Sequence, residues 1–441
     1  MNRYSLTVAA LALALAGRAV PPAWAQTTLT LQDAQQLAAR NFETVRLAKE
    51  EVEQARLLRR QALSAILPNV NLNGTYTRNL VSAEFEFGGE VVRVLPANDY
   101  SLGVTFSQPL FAGFRELRAL RQAEANIDAA GVALGTNVRN TVLDVTRGYY
   151  RVLGAEENVE ISRRGLEVAQ ATLKTAESLY RAGEAVETAV LRGRVAVTGA
   201  ERGLLDARNQ LTLVREQLRI FLGVDSGFRV TRPAPPAPPV GSIETLIDEG
   251  LRSRSELQAL ELQRRIAELE VEKRKGAYLP TVKADGSVTQ RRASFPSTRI
   301  GSLAINATWN VFNGGRTGAE LAAAETTLRE ADLRRDLLRK QTENEVRTAY
   351  LQVETLRASV GVLTEQVALT RRNAEETGRA YKVGEATDLD VVTANELVVR
   401  SERDLLQTTF SYEIALYELQ RAVGTFASDL VAEAAPGGQD R

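Results

Sequence analysis

Two stretches of this chain, between Pro109 and Pro233 and between Pro296 and Pro436, contain no proline, and each carries an apolar seam that recurs every seven residues. Stepping back by sevens from Tyr381 gives Ala374, Val367, Val360, Val353 and Val346. From Tyr180 the same step gives Leu173, Leu166, Val159, Val152 and Val145. A second run follows each: Val391, Val398, Leu405, Tyr412 and Leu419, and Val190, Val197, Leu204, Leu211 and Leu218. Accompanying seam positions are small, as at Ala394, Ser401, Thr408, Ala415 and Ala422, which lets backbones approach closely. Helices that keep a strict seven-residue period supercoil left-handedly around neighbours, because the natural turn is about 3.6 residues. A helix from about Gly314 to Tyr381 would be on the order of 100 Å long at about 1.5 Å per residue. The pattern predicts two long helical hairpins, reversing at Gly183 and Gly384. Taken alone, it also fits an ordinary dimeric coiled coil.

The two stretches are copies of one unit. Tyr180-Arg181-Ala182-Gly183-Glu184-Ala185 matches Tyr381-Lys382-Val383-Gly384-Glu385-Ala386 at an offset of 201 (381 − 180). The same offset relates Phe111 to Phe312, Tyr149 to Tyr350 and Gly223 to Gly424. Upstream, Leu67-Pro68 matches Leu279-Pro280 at an offset of 212 (279 − 67), so the first copy carries 11 extra residues, which we read as a loop within Val81 to Pro96. Such self-similarity defines the domains. The first repeat is 26–232, with helices to 222. A proline-rich linker occupies 233–241, too stiff to be helical. The second repeat is 242–426, with helices to 424. The tail 427–441, with Pro436-Gly437-Gly438, is expected to be disordered.

Four short segments alternate, at about 69–79, 99–108, 281–291 and 299–310. Val70, Leu72 and Tyr76 oppose Asn71, Asn73, Thr75 and Thr77, and Tyr100, Leu102, Val104 and Phe106 oppose Ser101, Gly103, Thr105 and Ser107. In the second copy Val282, Ala284 and Val288 oppose Lys283, Asp285, Ser287 and Thr289, and Leu303, Ile305, Ala307 and Trp309 oppose Ser302, Asn306, Thr308 and Asn310. This is the pattern of membrane β-strands, apolar to lipid and polar to a lumen. Four strands cannot close a barrel, which needs about eight, and lipid does not tolerate open edges. If the sheet is in a membrane, several copies must share it, and a closed ring is the ordinary solution.

Asn2 and Arg3, the apolar run Leu6 to Ala16 and the small-x-small Ala23-Trp24-Ala25 read as a secretory signal peptide, 1–25. No cysteine or histidine occurs, which removes thiolate chemistry, disulfides, lipidation at cysteine and the commonest general base and metal ligand. Charge is balanced, 55 basic against 55 acidic residues, so no nucleic-acid partner is implied. We find no nucleophile with a base, no metal cluster and no cofactor motif; Gly314-Gly315 lacks the Lys-Ser/Thr of a phosphate loop. Catalysis is not expected. Arg264, Arg265, Glu268, Glu270, Glu272 and Lys273 read as solvated helix faces.

Taken together, these features resemble the TolC family of outer-membrane efflux and secretion ducts, from about Leu29 to Phe426. The landmarks are Leu67-Pro68 and Leu279-Pro280 before strands, Gln108-Pro109-Leu110-Phe111-Ala112-Gly113 and Trp309-Asn310-Val311-Phe312-Asn313-Gly314-Gly315 after them, and the tip Tyr381-Lys382-Val383-Gly384. The resemblance implies a mainly α fold with a β-barrel portion. A homotrimer would give four strands per protomer to a 12-stranded barrel in outer-membrane lipid, above an α-helical tunnel crossing the periplasm. Its partners would be a periplasmic adaptor and an inner-membrane transporter of RND, ABC or MFS type. The rival is a structural periplasmic coiled-coil protein without a pore.

The resemblance also assigns sites. Asp390 matches the first acid of the ring at the constriction, and Thr393 stands at the second position, usually Asp. Such a ring favours cations and raises carboxyl pKa values. Tyr381 and Thr188 match the gate interlock. Ala189 and Ala386 replace its usual Asp and Arg, leaving Glu187 and Asp388 as candidate substitutes. Gly183, Glu184, Gly384 and Glu385 would meet the adaptor, through a more polar contact than the Leu that follows the tip Gly in many multidrug ducts.

Overall fold

The computed structural model describes residues 27–434 apart from positions 82, 88, 96, 225, 226, 239, 240 and 294–297. The predicted signal segment lies outside them, as does Pro436-Gly437-Gly438. The first unit runs β1 (Thr27–Leu29), α1 (Leu31–Asn41), α2 (Glu43–Ser64), β2 (Asn69–Arg78), β3 (Ala83–Phe87), β4 (Glu90–Leu95), β5 (Asn98–Ala112), α3 (Arg115–Arg181), α4 (Glu187–Leu222) and β6 (Phe228–Val230). The second runs α5 (Ile243–Ser253), α6 (Ser255–Lys275), a 3-10 turn Gly276–Tyr278, β7 (Thr281–Ala293), β8 (Thr298–Thr308), α7 (Arg316–Lys382), α8 (Asp388–Val423) and α9 (Ser428–Ala434). Residues 231–238 between them form neither helix nor strand. Helices α3 and α7 both have 67 residues, and α4 and α8 both have 36.

The seam drives this packing. Each seven-step position before the tip tyrosines, and each in the runs after the turns, is buried or half-buried. Where the seam is polar its groups are satisfied: the hydroxyls of Thr370 and Ser401 bond each other at 2.9 Å. The repeats part at the tip, where Tyr180 is 46% exposed and Tyr381 only 9%. Further from the tips, Tyr149 and Tyr150 enter a core with Val152, Leu218 and Phe410. The Tyr149 hydroxyl accepts from the Thr231 amide at 2.9 Å and lies 2.8 Å from the Leu29 carbonyl, so it fastens the parallel pair β1–β6 to α3.

Strands β2, β5, β7 and β8 form one antiparallel sheet in that order. Val70, Leu72, Tyr76, Tyr100, Leu102, Val104, Phe106, Val288, Leu303 and Ile305 stand exposed on one face, an apolar surface far larger than water-facing sheets carry. The other face is cross-linked by its own polar side chains. Asn73 donates to Thr105 at 3.2 Å, Ser107 and Asn306 donate to Asp285 at 2.6 and 2.7 Å, and Arg291 holds Asp99. Among the described residues, the outer edges of β2 and β8 have no strand partner.

Three expectations need correction. The insertion within Val81 to Pro96 is not a loop: it forms the hairpin β3–β4, with Phe85 opposite Val92. Glu84-Phe85-Glu86-Phe87 and Val92-Arg93-Val94 alternate with period two around a glycine turn, and Gly89 takes φ +91°. The tail is not disordered throughout, because Ser428–Ala434 is helix α9. Leu430 and Val431 pack on the cluster containing Leu134 and Val138, and Glu433 reaches Arg40 at 2.5 Å. The charged run on α6 is not simply solvated. Arg118 reaches Glu272, Arg264 reaches Asp332 and Arg274 reaches Glu320, each at 2.9 Å, so the run ties α6 to α3 and α7.

The passage from sheet to helix depends on close backbone approach. Gly113 has φ +64°, and a Cβ there would sit 2.2 Å from the Gly276 carbonyl oxygen. Its counterpart Gly314 has φ +67° but open space around it. Gly314→Ala should therefore carry only the left-handed penalty of about 1–2 kcal/mol. Gly113→Ala adds a backbone clash, and we expect at least twice that loss in thermal or urea unfolding of the detergent-solubilised protein.

Candidate functional site at the helical tips

Each long hairpin reverses in the same way. Gly183 and Gly384 take φ +78° and +81°, where a side chain would be strained. The next amides fold back, Glu184 N–H to the Leu179 carbonyl and Glu385 N–H to the Ala380 carbonyl, both 2.9 Å, satisfying the last helical carbonyls. Glu184 and Glu385 are exposed at the very ends of the hairpins.

The helices leaving the two turns begin differently. In the second repeat Thr387 caps α8. Its hydroxyl accepts from the Asp390 amide at 3.3 Å, and the Asp390 carboxylate accepts from the Thr387 amide and hydroxyl at 2.9 and 2.6 Å. This reciprocal box satisfies donors that a helix start leaves unpaired. In the first repeat the equivalent positions are Val186, which offers no side-chain cap, and Ala189, which is buried. The Thr387 hydroxyl and amide hold the Asp390 carboxyl below its ordinary pKa. Within one chain, then, the direction is opposite to that expected of a crowded ring. Asp390 and Thr393 are both exposed, one turn apart on α8.

Tyr381 is buried, and among the described residues its hydroxyl has no hydrogen-bond partner. Burial, with the charge of Asp388 second, pushes its pKa up. Asp388 itself bonds Arg192 of α4 at 3.1 Å, with only 14% of its side chain exposed. This pair joins the two repeats at the tip. Reasoning from sequence named Asp388 but missed Arg192, because the partners are 196 residues apart and the repeat offset does not relate them. Glu187 and Thr188 are exposed, and Glu187 has no ion pair among the described residues. The structure thus sets the Asp388 charge against Tyr381, while Asp390 bonds Thr387 and, among the described residues, Glu187 and Thr188 bond none of them.

Beyond the Arg192–Asp388 pair, a groove of about 850 Å³ opens among α3, α4 and α8. Gly165, Gly199 and Gly203 keep its walls low, and Val195, Val392 and Val399 line it. Ties along its length hold α8 to α3: Arg403 donates to Ser162 at 2.8 Å and Asn395 to Thr172 at 3.4 Å. No helix among the described residues is long and apolar enough to cross a membrane.

A family match follows the two repeats seen in the structure: the sequence profile of outer membrane efflux proteins covers residues 30–224 and 246–425. The chain belongs to the outer membrane efflux protein family. It is 23% identical over 344 residues to the outer membrane efflux protein BepC of Brucella suis, covering 76% of this chain and 75% of BepC. It is 24% identical over 388 residues to the outer membrane protein TolC of Vibrio cholerae, covering 85% and 86%. The fold superposes on the Campylobacter jejuni CmeC outer membrane channel with TM-score 0.78 at 16% identity, over 92% of this chain and 89% of that one. It superposes on the outer membrane protein VceC of Vibrio cholerae with TM-score 0.76 at 17% identity, over 90% and 96%. The chain is therefore an outer-membrane channel of the efflux and secretion type, with its helices extending into the periplasm, and not a coiled coil without a pore.

The capping difference gives a test. Thr387→Ala removes the box and should cost about 1 kcal/mol at the start of α8. Amide exchange there should quicken about fivefold, while the first turn of α4 is unchanged. Because the native Asp390 pKa is lowered, its contribution is complete above the unfolded carboxyl value of about 3.9 and is lost as pH falls through the native one. In the unaltered chain, protection at pH 5 should equal that at pH 7.

Proposed function

We propose that three copies of this chain close a 12-stranded barrel and a shared helical tunnel, forming the passive exit duct of a tripartite efflux pump or type I secretion system. The single observation that carries this is the four-stranded sheet, apolar on one face and unpaired at both edges. Such a sheet is stable in lipid only when β8 of one copy pairs with β2 of the next. Energy for transport then comes from a partner, an inner-membrane transporter of RND, ABC or MFS type, reached through a periplasmic adaptor. The exposed Gly183-Glu184 and Gly384-Glu385 tips are the surface offered to that adaptor. The absence of cysteine makes the arrangement easy to test. Asn73→Cys on β2, combined in turn with cysteines at the lumen-facing β8 positions Ile300, Ser302 and Ala304, should give disulfide-linked species up to three chains for at least one pair. If every pair yields monomer only, the closure is wrong.

At the tunnel's lower end, three Asp390 carboxylates and the Thr393 hydroxyls one turn above would form the constriction, with Tyr381, Thr188, Glu187 and Asp388 around the gate. At about 6 Å in a water-like dielectric each carboxylate pair repels by less than ~1 kcal/mol. The Thr387 hydrogen bonds oppose the resulting upward push on pKa. Cation preference should therefore persist to mildly acidic pH. Asp390→Ala should abolish that preference and weaken block by multivalent cations in planar bilayers; unchanged selectivity would remove Asp390 from the constriction.

A further inference from the structure

The lipid face of the sheet is not apolar over its whole height. Register places its outward residues in rows across the strands. Val70, Phe106, Gly286 and Leu303 form one row, and Leu72, Val104, Val288 and Gly301 the next. Further from the helices come Gly74, Leu102, Gln290 and Arg299, then Tyr76, Tyr100 and Arg292, and finally Arg78 with Asn98. Three arginines thus occupy three successive rows at the end remote from the helices, within about 14 Å along the strands at roughly 3.4 Å per residue. No arginine or lysine lies on this face nearer the helices, and no aspartate or glutamate lies anywhere on it.

All three arginines are exposed, and among the described residues none has a carboxylate partner. The contrast with the lumen face is direct, since Arg291, one residue from Arg292, is bound by Asp99. Tyr76 and Tyr100 meet here as a tilted pair with ring centroids 5.0 Å apart, and the Tyr76 hydroxyl donates to Asn98 at 3.0 Å. Aromatic residues of this kind mark the level where hydrocarbon meets head groups. Arginine on a lipid face is costly at mid-bilayer and tolerated at that level.

We propose that Arg78, Arg292 and Arg299 form a binding surface for the phosphate groups of the phosphorylated glycolipid in the outer leaflet. This rests on the outer-membrane placement of the sheet. The remote end of the strands faces the cell exterior, because the helices leave the other end toward the periplasm. The guanidinium fork matches phosphate oxygens two at a time, and the tyrosine row, level with Arg292 and between Arg299 and Arg78, sets the depth. Arg299 lies on the edge strand β8 and Arg78 on the edge strand β2, so closure of the ring would bring arginines of adjacent copies to one boundary. The lipid would then bridge protomers at the outer rim.

The test uses the full chain in detergent, titrated with bis-phosphorylated lipid A and followed by native mass spectrometry. Wild type should bind it, and should bind the dephosphorylated disaccharide lipid and phosphatidylglycerol at least tenfold more weakly. Arg78→Gln with Arg292→Gln and Arg299→Gln should weaken lipid A binding by about a hundredfold, from roughly a factor of five per basic group at an anionic surface. The triple Arg→Lys variant should stay within about tenfold of wild type. Unchanged helical content and heat-modifiable mobility establish that the variants fold, and the double variant Arg78→Gln with Arg292→Gln should fall between. Equal lipid A affinity in the folded triple Gln variant, or equal wild-type affinity for phosphatidylglycerol, would overturn the proposal. Partition of wild type into the aqueous phase of a detergent separation would instead remove the membrane placement beneath it.

Discussion

Backbone hydrogen bonding at the two open edges of the β2-β5-β7-β8 sheet is the constraint on which the rest of this molecule depends. In water, an unpaired strand edge is solvated; in hydrocarbon, each unpaired amide or carbonyl is costly. The sheet offers its apolar face to lipid yet supplies only four strands. Its polar face is already satisfied by side chains of its own, through Asn73–Thr105, Ser107–Asp285–Asn306 and Arg291–Asp99. What is missing lies at the edges, and in the proposed ring another copy of the chain provides it. The duplicated architecture follows the same logic, since each repeat contributes one strand pair to the wall and one long hairpin to the tunnel.

The two repeats have kept their geometry and divided their chemistry. At the tip, Val186, Ala189 and the exposed Tyr180 of the first copy stand where the second has Thr387, Asp390 and the buried Tyr381. Nearer the membrane, Phe42 stacks on Phe221 at 5.0 Å in the first copy. The equivalent positions of the second are Arg254 and Ala422, and there the guanidinium donates to the Ala422 carbonyl at 2.7 Å and to Glu345 at 2.6 Å. An apolar stack and a buried charged clamp thus serve the same joint.

The long helices were legible because their signal is one-dimensional: seven-step spacing, absent proline and a glycine at each turn act within a single segment. The strand faces were legible for the same reason, since alternation needs no knowledge of partners. The hairpin β3–β4 shows in the alternation of Glu84-Phe85-Glu86-Phe87, but the insertion reads first as a gap between repeats. Helix α9 is short and depends on Leu430 and Val431 finding the cluster around Leu134 and Val138, a contact that no local pattern encodes. Arg192–Asp388 and the ties of α6 to α3 and α7 were hidden likewise, as pairings between distant segments. At the site, family likeness pointed to Asp390, but the Thr-x-x-Asp spacing that makes it a capping residue was in the sequence throughout.

Native mass spectrometry of the species extracted from outer membranes measures closure of the ring itself. The expected mass is that of three mature chains, with no folded species of one. A stable, fully folded single chain, with its helical content intact and no tendency to associate, would contradict it.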